Sequence, residues 1–303
     1  MKIRRLIYCL VVTVAFLLVS MNYGGLIQSP IQREAVAGER TKLYLVSTGP
    51  GDADLITVRG MKAIKDADLI VCSKRSQEKF ASYLKGKEIF DTSRFYKSSR
   101  KDYKDLTEKE LKERREEFRK RRKEIEKAVR QAIEKGKTAA ILQGADPFIY
   151  QGGGQACEQY DDLNPVVIPG LSSFNAANAA LGRTVTSGEH THSVILTMPG
   201  WSKRKEGPAH MDTIESLATH RATMAIFMNR DLKNLMARLS TYYPPQTPIG
   251  IVVYAGYKEK ERVIKGTIET IVDKVGSEKL PFEHLIYVGD FLTNRYDRSN
   301  KGK

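Results

Sequence analysis

Residues 43–72, LYLVSTGPGDADLITVRGMKAIKDADLIVC, carry the signal that decides the fold. Leu43-Tyr44-Leu45-Val46-Ser47 is a short apolar run without alternation, the pattern of a strand buried on both faces. It breaks at Thr48-Gly49-Pro50-Gly51, where glycine and proline end regular structure. A helix is expected next, with Leu55, Val58, Met61, Ala63 and Ile64 as its apolar positions. Leu69-Ile70-Val71-Cys72 then reads as a second strand. Strand, glycine turn, helix, strand is a βαβ unit, and that unit implies a parallel sheet.

The same rhythm extends outward. TAAILQ (138–143) ends at Gly144, and VVIP (166–169) precedes an alanine-rich helix over 172–182. A second set of apolar runs follows at 193–198, 223–228, 249–255, 262–267 and 284–289, with helices expected near 211–219, 230–241 and 268–275. The economical architecture is α/β with two lobes dividing near Pro169-Gly170, an N-terminal lobe over 42–170 and a C-terminal lobe over 171–293, with a tail at 294–303. Between the first two sets lies a highly charged stretch. Thr107 and Glu110 form a capping-box pattern that opens a helix over 108–135, ended by Gly136. Its i,i+4 charge pairs and its sparse stripe of Leu111, Phe118, Ile125, Val129 and Ile133 predict a docked surface element.

At the other end, Lys2, Arg4 and Arg5 precede an apolar run from Leu6 to Met21. That order is the signature of an export signal or short membrane anchor over 1–23, followed by a linker over 24–41. Ala35-Val36-Ala37 has the small-x-small form but lies far from the apolar run for cleavage. The flanking charges lead to the expectation that the rest of the chain lies outside the cytoplasm, exported or membrane-anchored, with the cytoplasmic face of an anchored domain as the alternative. The whole chain carries 50 Lys+Arg against 36 Asp+Glu, a net charge of +14, which suits an anionic partner. Three cysteines exclude a disulfide framework, and the scattered histidines argue against a metal site. His190 and His192 share a strand face but have no evident third ligand.

Two glycine turns follow strands, Gly49-Pro50-Gly51 and Gly144-Ala145-Asp146-Pro147. Such turns let a ligand approach the backbone. Neither has the spacing of a dinucleotide fingerprint, and no phosphate-binding P-loop motif occurs, so nicotinamide and P-loop chemistry are disfavoured.

In combination the motifs are more specific. LYLVSTGPGDADLITVRGMKAIKDADLIV, GADPFIYQGG, IPGLSSFNAANAALGRTVTSGEHTHSVILT, ESLATHRATMAIFM, PPQTPIGIVVYAGYKEKERVIKGTIETI and LIYVGDFL occur in the order and spacing of one family. Over about 43–292 the chain resembles the tetrapyrrole (corrin/porphyrin) methylases, and PGLSSFNAANAALG, SVILT and LATHRATMAIFM look closest to the precorrin-4 C11-methyltransferase branch. The resemblance implies two α/β lobes with S-adenosyl-L-methionine in the cleft between them. The family's cofactor positions fall on Pro50, Gly144, Ala145, Asp146, Ile149, Ser172, Ser173, Met228 and Gly256. Ser172 and Ser173 equally fit a helix N-cap.

The chain departs from the family after its second strand. There it reads Cys72-Ser73-Lys74-Arg75-Ser76-Gln77, with Ser73 where the uroporphyrinogen methylases carry an Asp. Lys74, Arg75, Lys97, Arg100 and Lys101 are the candidate substrate-binding cations, since early corrinoid precursors carry many carboxylates. Methyl transfer to an electron-rich carbon needs alignment more than acid–base help, so no catalytic acid or base is assigned. The implied partners are a small-molecule tetrapyrrole, the membrane through an uncleaved leader, and a second copy in a homodimer; no nucleic acid is expected. Two other functions stay open: an exported, non-catalytic relative that binds a tetrapyrrole or other anion, and a nucleic-acid methyltransferase.

Overall fold

The computed structural model describes residues 42–95, 106–150, 153–189, 191–199 and 212–294. The expected leader and linker, the tail beyond Asn294, and Lys97, Arg100, Lys101 and His190 lie outside the described residues.

The first apolar runs become a five-stranded sheet. Strands β1 (Leu43–Ser47), β2 (Leu69–Cys72), β3 (Glu88–Asp91), β4 (Ala139–Gln143) and β5 (Val166–Ile168) lie in the order β3-β2-β4-β1-β5, and every pairing is parallel. Both faces of β1 are covered, which accounts for its lack of alternation. Val46 packs with Ile64 and Phe80 on one side, while Leu43 packs with Val129 and Ile133 on the other. Strand β3 has no apolar run to announce it. It is an edge strand, with Glu88 and Ile89 exposed.

Helix α1 (Val58–Asp66) starts later than the apolar spacing suggests, because Thr57 caps it by accepting a hydrogen bond from the Gly60 amide at 3.0 Å. Val58 therefore sits at the first helical position and is 89% exposed, not part of the inward face. Gly60, Ala63 and Ile64 are the buried positions, and Leu55 belongs to a separate 3-10 turn over Ala53–Leu55. Helix α2 (Lys74–Lys79) follows β2. Helix α3 (Glu108–Glu134) has the expected capping box, yet only Val129, Ala132 and Ile133 near its end are buried. The preceding turns run on beyond the core. Short helices α4 (Pro147–Tyr150) and α5 (Gly153–Gln159) complete this lobe.

The second sheet orders its strands β6-β7-β10-β8-β9, comprising β6 (Val194–Thr197), β7 (Thr223–Phe227), β8 (Pro248–Val253), β9 (Arg262–Thr267) and β10 (His284–Val288). Only β6 and β7 run parallel; the other pairings are antiparallel. Helices α7 (Ile214–Ala218), α8 (Leu232–Leu239) and α9 (Ile271–Val275) cover one face around Ile226, Ile251 and Ile286. Helix α6 (Ser173–Leu181) covers the other face, packing Ala177 and Leu181 with Phe227 and Tyr287. The Tyr287 hydroxyl donates to Asn178 at 2.6 Å, fixing that helix to the sheet.

The lobes meet backbone to backbone. The Asp52 amide donates to the Gly256 carbonyl at 2.9 Å, and Lys258 donates its amide to the Asp52 carboxylate at 2.9 Å. A Cβ on Gly51, whose φ is +63°, would lie 2.1 Å from the Gly256 oxygen. Only glycine allows this approach. Gly51→Ala is expected to cost about 2–4 kcal/mol, combining left-handed strain with a clash against backbone. Gly86→Ala, at φ +76° with nothing within 4 Å, isolates the strain alone at about 1 kcal/mol. Equal shifts of the urea midpoint for the two variants would mean that the close approach constrains nothing.

Candidate functional site

The chain leaves β1 towards β2 and leaves β4 towards β5, so connections from these neighbouring strands run in opposite directions. Ligand crevices open outside the strand C-termini at such a switch point. A cleft of about 730 Å³ lies there. Its size is ordinary for a small-molecule site.

The two glycine turns form its floor and are tied to each other. Thr48 donates both its amide and its hydroxyl to the Gln143 carbonyl, at 2.8 and 2.9 Å, and the Ala145 amide donates to Gly49 at 3.2 Å. Pro50, Gly144, Ala145, Asp146 and Ile149 line the cleft from these turns. Asp146 accepts the Phe148 amide at 3.0 Å, which steadies the second turn. Ser172 and Ser173 line the cleft as well. Ser172 is also a structural cap: it is buried, and its hydroxyl accepts the Phe174 amide at 3.2 Å at the start of α6. From the second sheet come Phe227 at the end of β7 and Met228 after it, Tyr254 and Ala255 after β8, and Leu285 from β10. Of the expected cofactor positions, Gly256 alone does not line the cleft; it stands beside Ala255, where it holds Gly51.

Ala145, Met228 and Tyr254 have φ of 51°, 54° and 54°. Left-handed backbone costs such residues about 1–2 kcal/mol each. Among the described residues Asn164 and Arg221 are also left-handed and lie elsewhere, but these three all line the cleft, where strand ends turn their backbone groups towards a ligand.

The candidate substrate cations separate. Lys74 is exposed and does not line the cleft. Arg75 lines it, but its guanidinium is bonded to the Glu283 carboxylate and the Tyr257 hydroxyl of the other lobe. Glu283 is the main reason its affinity for a proton is raised. Lys79 and Arg121 were not singled out from the sequence, yet both line the cleft. The signal was helical spacing: Lys79 is i+4 from Arg75, and Arg121 shares a face with Phe118 and Ile125. The Lys79 ammonium donates to the Thr48 and Gly49 carbonyls at 3.3 and 3.2 Å. Burial, reinforced by Arg75, pushes its pKa down to about 8, against the pull of Asp52, Asp54 and Glu283.

Three acceptor atoms of cleft-lining residues, Gln143 Oε1, Glu283 Oε2 and His284 Nε2, are buried without a hydrogen-bond partner among the described residues. Burial raises the Cys72 thiol to about 12, so it is no nucleophile. His192 meets the Thr186 carbonyl at 3.0 Å, and among the described residues no cluster of His, Cys, Asp or Glu is placed to hold a metal ion.

Residues 42–272 match the family model for tetrapyrrole (corrin/porphyrin) methylases. The chain is 30% identical to a cobalt-precorrin-4 C(11)-methyltransferase of Methanocaldococcus jannaschii, over 84% of this chain and 90% of that protein. It is also 30% identical to a uroporphyrinogen-III C-methyltransferase of Priestia megaterium, over 83% and 98% of the two chains. In fold it is similar to the X-ray structure of a cobalt precorrin-4 methyltransferase, with a TM-score of 0.64 at 24% identity, covering 84% of this chain and 97% of that one. A Thermus thermophilus uroporphyrin-III C-methyltransferase, solved as a complex with S-adenosylhomocysteine, gives 0.56 at 18% identity, covering 83% and 98%.

His284 generates a pH prediction. Its Nδ1 lies 2.6 Å from the Pro281 carbonyl, and burial holds its pKa below the ordinary value near 6.5. Below that pH the unfolded chain takes up a proton that the folded ring resists, so stability falls as pH drops. Urea midpoints between pH 7 and 5.5 should decline, this group contributing at most about 1.4 kcal/mol per pH unit, and His284→Gln should flatten the decline. A wild-type midpoint constant across that window would contradict the assignment.

Proposed function

The chain belongs to the tetrapyrrole (corrin/porphyrin) methylase family, and from that premise we propose that it is an S-adenosylmethionine-dependent methyltransferase acting on a ring carbon of a precorrin-like tetrapyrrole. The observation that carries this reading is the switch-point cleft, where both glycine turns and the ends of β7 and β8 converge.

The residues present fit the cofactor. At Gly144 a Cβ would meet nothing within 4 Å, so the backbone there stands open to a ligand. The unpartnered acceptors of Gln143, Glu283 and His284 suit a molecule rich in N–H and O–H groups, as S-adenosylmethionine is with its ammonium, adenine amine and ribose hydroxyls. Asp146 and the second glycine turn would receive the polar parts, and Ile149, Met228 and Leu285 the apolar ones. When bound, the cofactor supplies a methyl group activated by its sulfonium. What the chain's own side chains contribute is orientation and exclusion of water. Cys72 is buried as a thiol outside the cleft lining, which leaves the walls themselves to align the ligands.

A precorrin-like substrate is favoured over uroporphyrinogen by the first lobe. Ser73 lines the cleft where the resemblance would place an Asp, and its hydroxyl accepts the Ser76 amide at 3.3 Å as the cap of α2. That position therefore has no base. Titration calorimetry of the full chain should show saturable S-adenosylhomocysteine binding, and Asp146→Ala should weaken it about ten- to a hundredfold. Absence of saturable binding at millimolar ligand would refute the cofactor assignment.

A further inference from the structure

We propose that Lys79, together with Arg121 of α3, is the specificity-determining anchor that receives a carboxylate of the substrate at the first-lobe end of the cleft. The inference rests on the substrate class proposed above and assigns the contact to residues outside the basic cluster conspicuous in the sequence.

Geometry carries it. Of the cations that line the cleft, Arg75 is bonded across the lobes to Glu283 and Tyr257. Lys79 is different. Its partners are the carbonyls of Thr48 and Gly49, which direct the ammonium without neutralising it. An ammonium has three N–H donors, so one remains for a ligand. Hydroxyls of Ser73, Ser76 and Thr92 line the same cleft and add donors that a carboxylate can accept. The acidic side chains that line the cleft are Asp146, at the second glycine turn, and Glu283, bonded to Arg75. The first-lobe wall is therefore cationic and rich in donors, which selects an anion.

Arg121 supplies an independent observation. Helix α3 needs only its last turns for the core, since Val129, Ala132 and Ile133 are its buried residues. It nevertheless continues towards Thr107, and the turn containing Arg121 borders the cleft. Part of this stretch docks, with Arg122 bonded to Gln159 and Ile125 packed against the core, and the same stretch carries Arg121. It brings another first-lobe cation to the cleft that Lys79 also lines.

The lowered proton affinity of Lys79 makes the contact testable. The charged groups around it are Arg75 from its own helix, Asp52 and Asp54 from the first turn, and Glu283 from the segment before β10. A bound carboxylate adds negative charge and favours the ammonium. Affinity for an anionic ligand should then hold steady below pH 7 and fall above about 8, by up to tenfold per pH unit.

The experiment uses the full chain, with uroporphyrin I as a stable polycarboxylated probe followed by fluorescence quenching, and S-adenosylhomocysteine followed separately by calorimetry. Lys79→Met should weaken porphyrin binding at least tenfold and Arg121→Gln at least threefold, while cofactor affinity changes less than threefold. Lys79→Arg should keep the affinity and abolish its fall above pH 8. Porphyrin binding unchanged in Lys79→Met, or a fall above pH 8 that persists in Lys79→Arg, overturns the anchor and leaves the substrate class standing. Equal losses of porphyrin and cofactor in Lys79→Met would reduce Lys79 to a brace for the glycine turn, and also overturn it. If wild-type chain binds S-adenosylhomocysteine but no porphyrin at any pH, the substrate class itself fails and the anchor falls with it.

Discussion

The contact between Gly51 and Gly256 sets the geometry on which the cleft depends. With a Cβ excluded at 2.1 Å, the first glycine turn and the end of β8 sit as close as two backbones can. The Asp52 amide then reaches the Gly256 carbonyl, and Lys258 reaches both Asp52 and Asp54. These contacts bring Pro50 opposite Tyr254 and Ala255, and make one cavity from the ends of two separate sheets. A second tie, from Arg75 to Glu283 and Tyr257, joins the lobes through α2. Exposed ion pairs contribute little individually. The backbone approach therefore holds the lobes, and the arginine ties α2 to the second lobe.

Strain and burial are divided between regions. The strands that carry the cleft are among the most buried parts of the molecule, with β7, β8 and β10 almost entirely enclosed. Left-handed Ala145, Met228 and Tyr254 come immediately after such strands, or one residue further on. A turn of this kind is unfavourable alone, and it persists because the strand before it cannot shift. Two sheets, each with helices on both faces or at one end, supply that rigidity. The ligand walls can then consist of exposed backbone without loss of order.

Much of this was legible in the sequence, for identifiable reasons. Apolar runs reveal strands buried on both faces, so β1, β2, β4 and β5 stand out, as do the five strands of the second sheet. Strand β3 does not, because an edge strand with an exposed Glu88 and Ile89 has no hydrophobic run. Val58 is apolar but lies at a helix start fixed by the Thr57 cap, which turns it to solvent. Glycine turns announced the cleft, because a backbone approach needs particular residue types at particular strand ends. The cations that line it were harder. Clustered charge at Lys74 and Arg75 is visible in one dimension, whereas the partner of Arg75 is Glu283, far along the chain, and no local pattern links them. Helical spacing from Arg75 to Lys79 was the available clue.

A net charge of +14 therefore says less about recognition than the placement of a few cations. Many basic side chains are matched close by: Arg130 by Glu126 and Asp162, Arg238 by Glu215, Arg262 by Glu278, Lys137 by Glu88. Such pairs shape the surface but leave little field for a ligand. A cation held by carbonyl dipoles, within a wall that limits solvent, keeps its field and directs it into the cleft. The cleft is mixed in character rather than divided by lobe. Apolar Ile149 from the first lobe and Phe227, Met228, Val252 and Leu285 from the second share it with Lys79, Arg121 and the hydroxyls of Ser73, Ser76 and Thr92. Apolar and cationic stretches within one cavity suit two ligands of different character, and the close approach of Gly51 to Gly256 keeps both stretches in that one cavity.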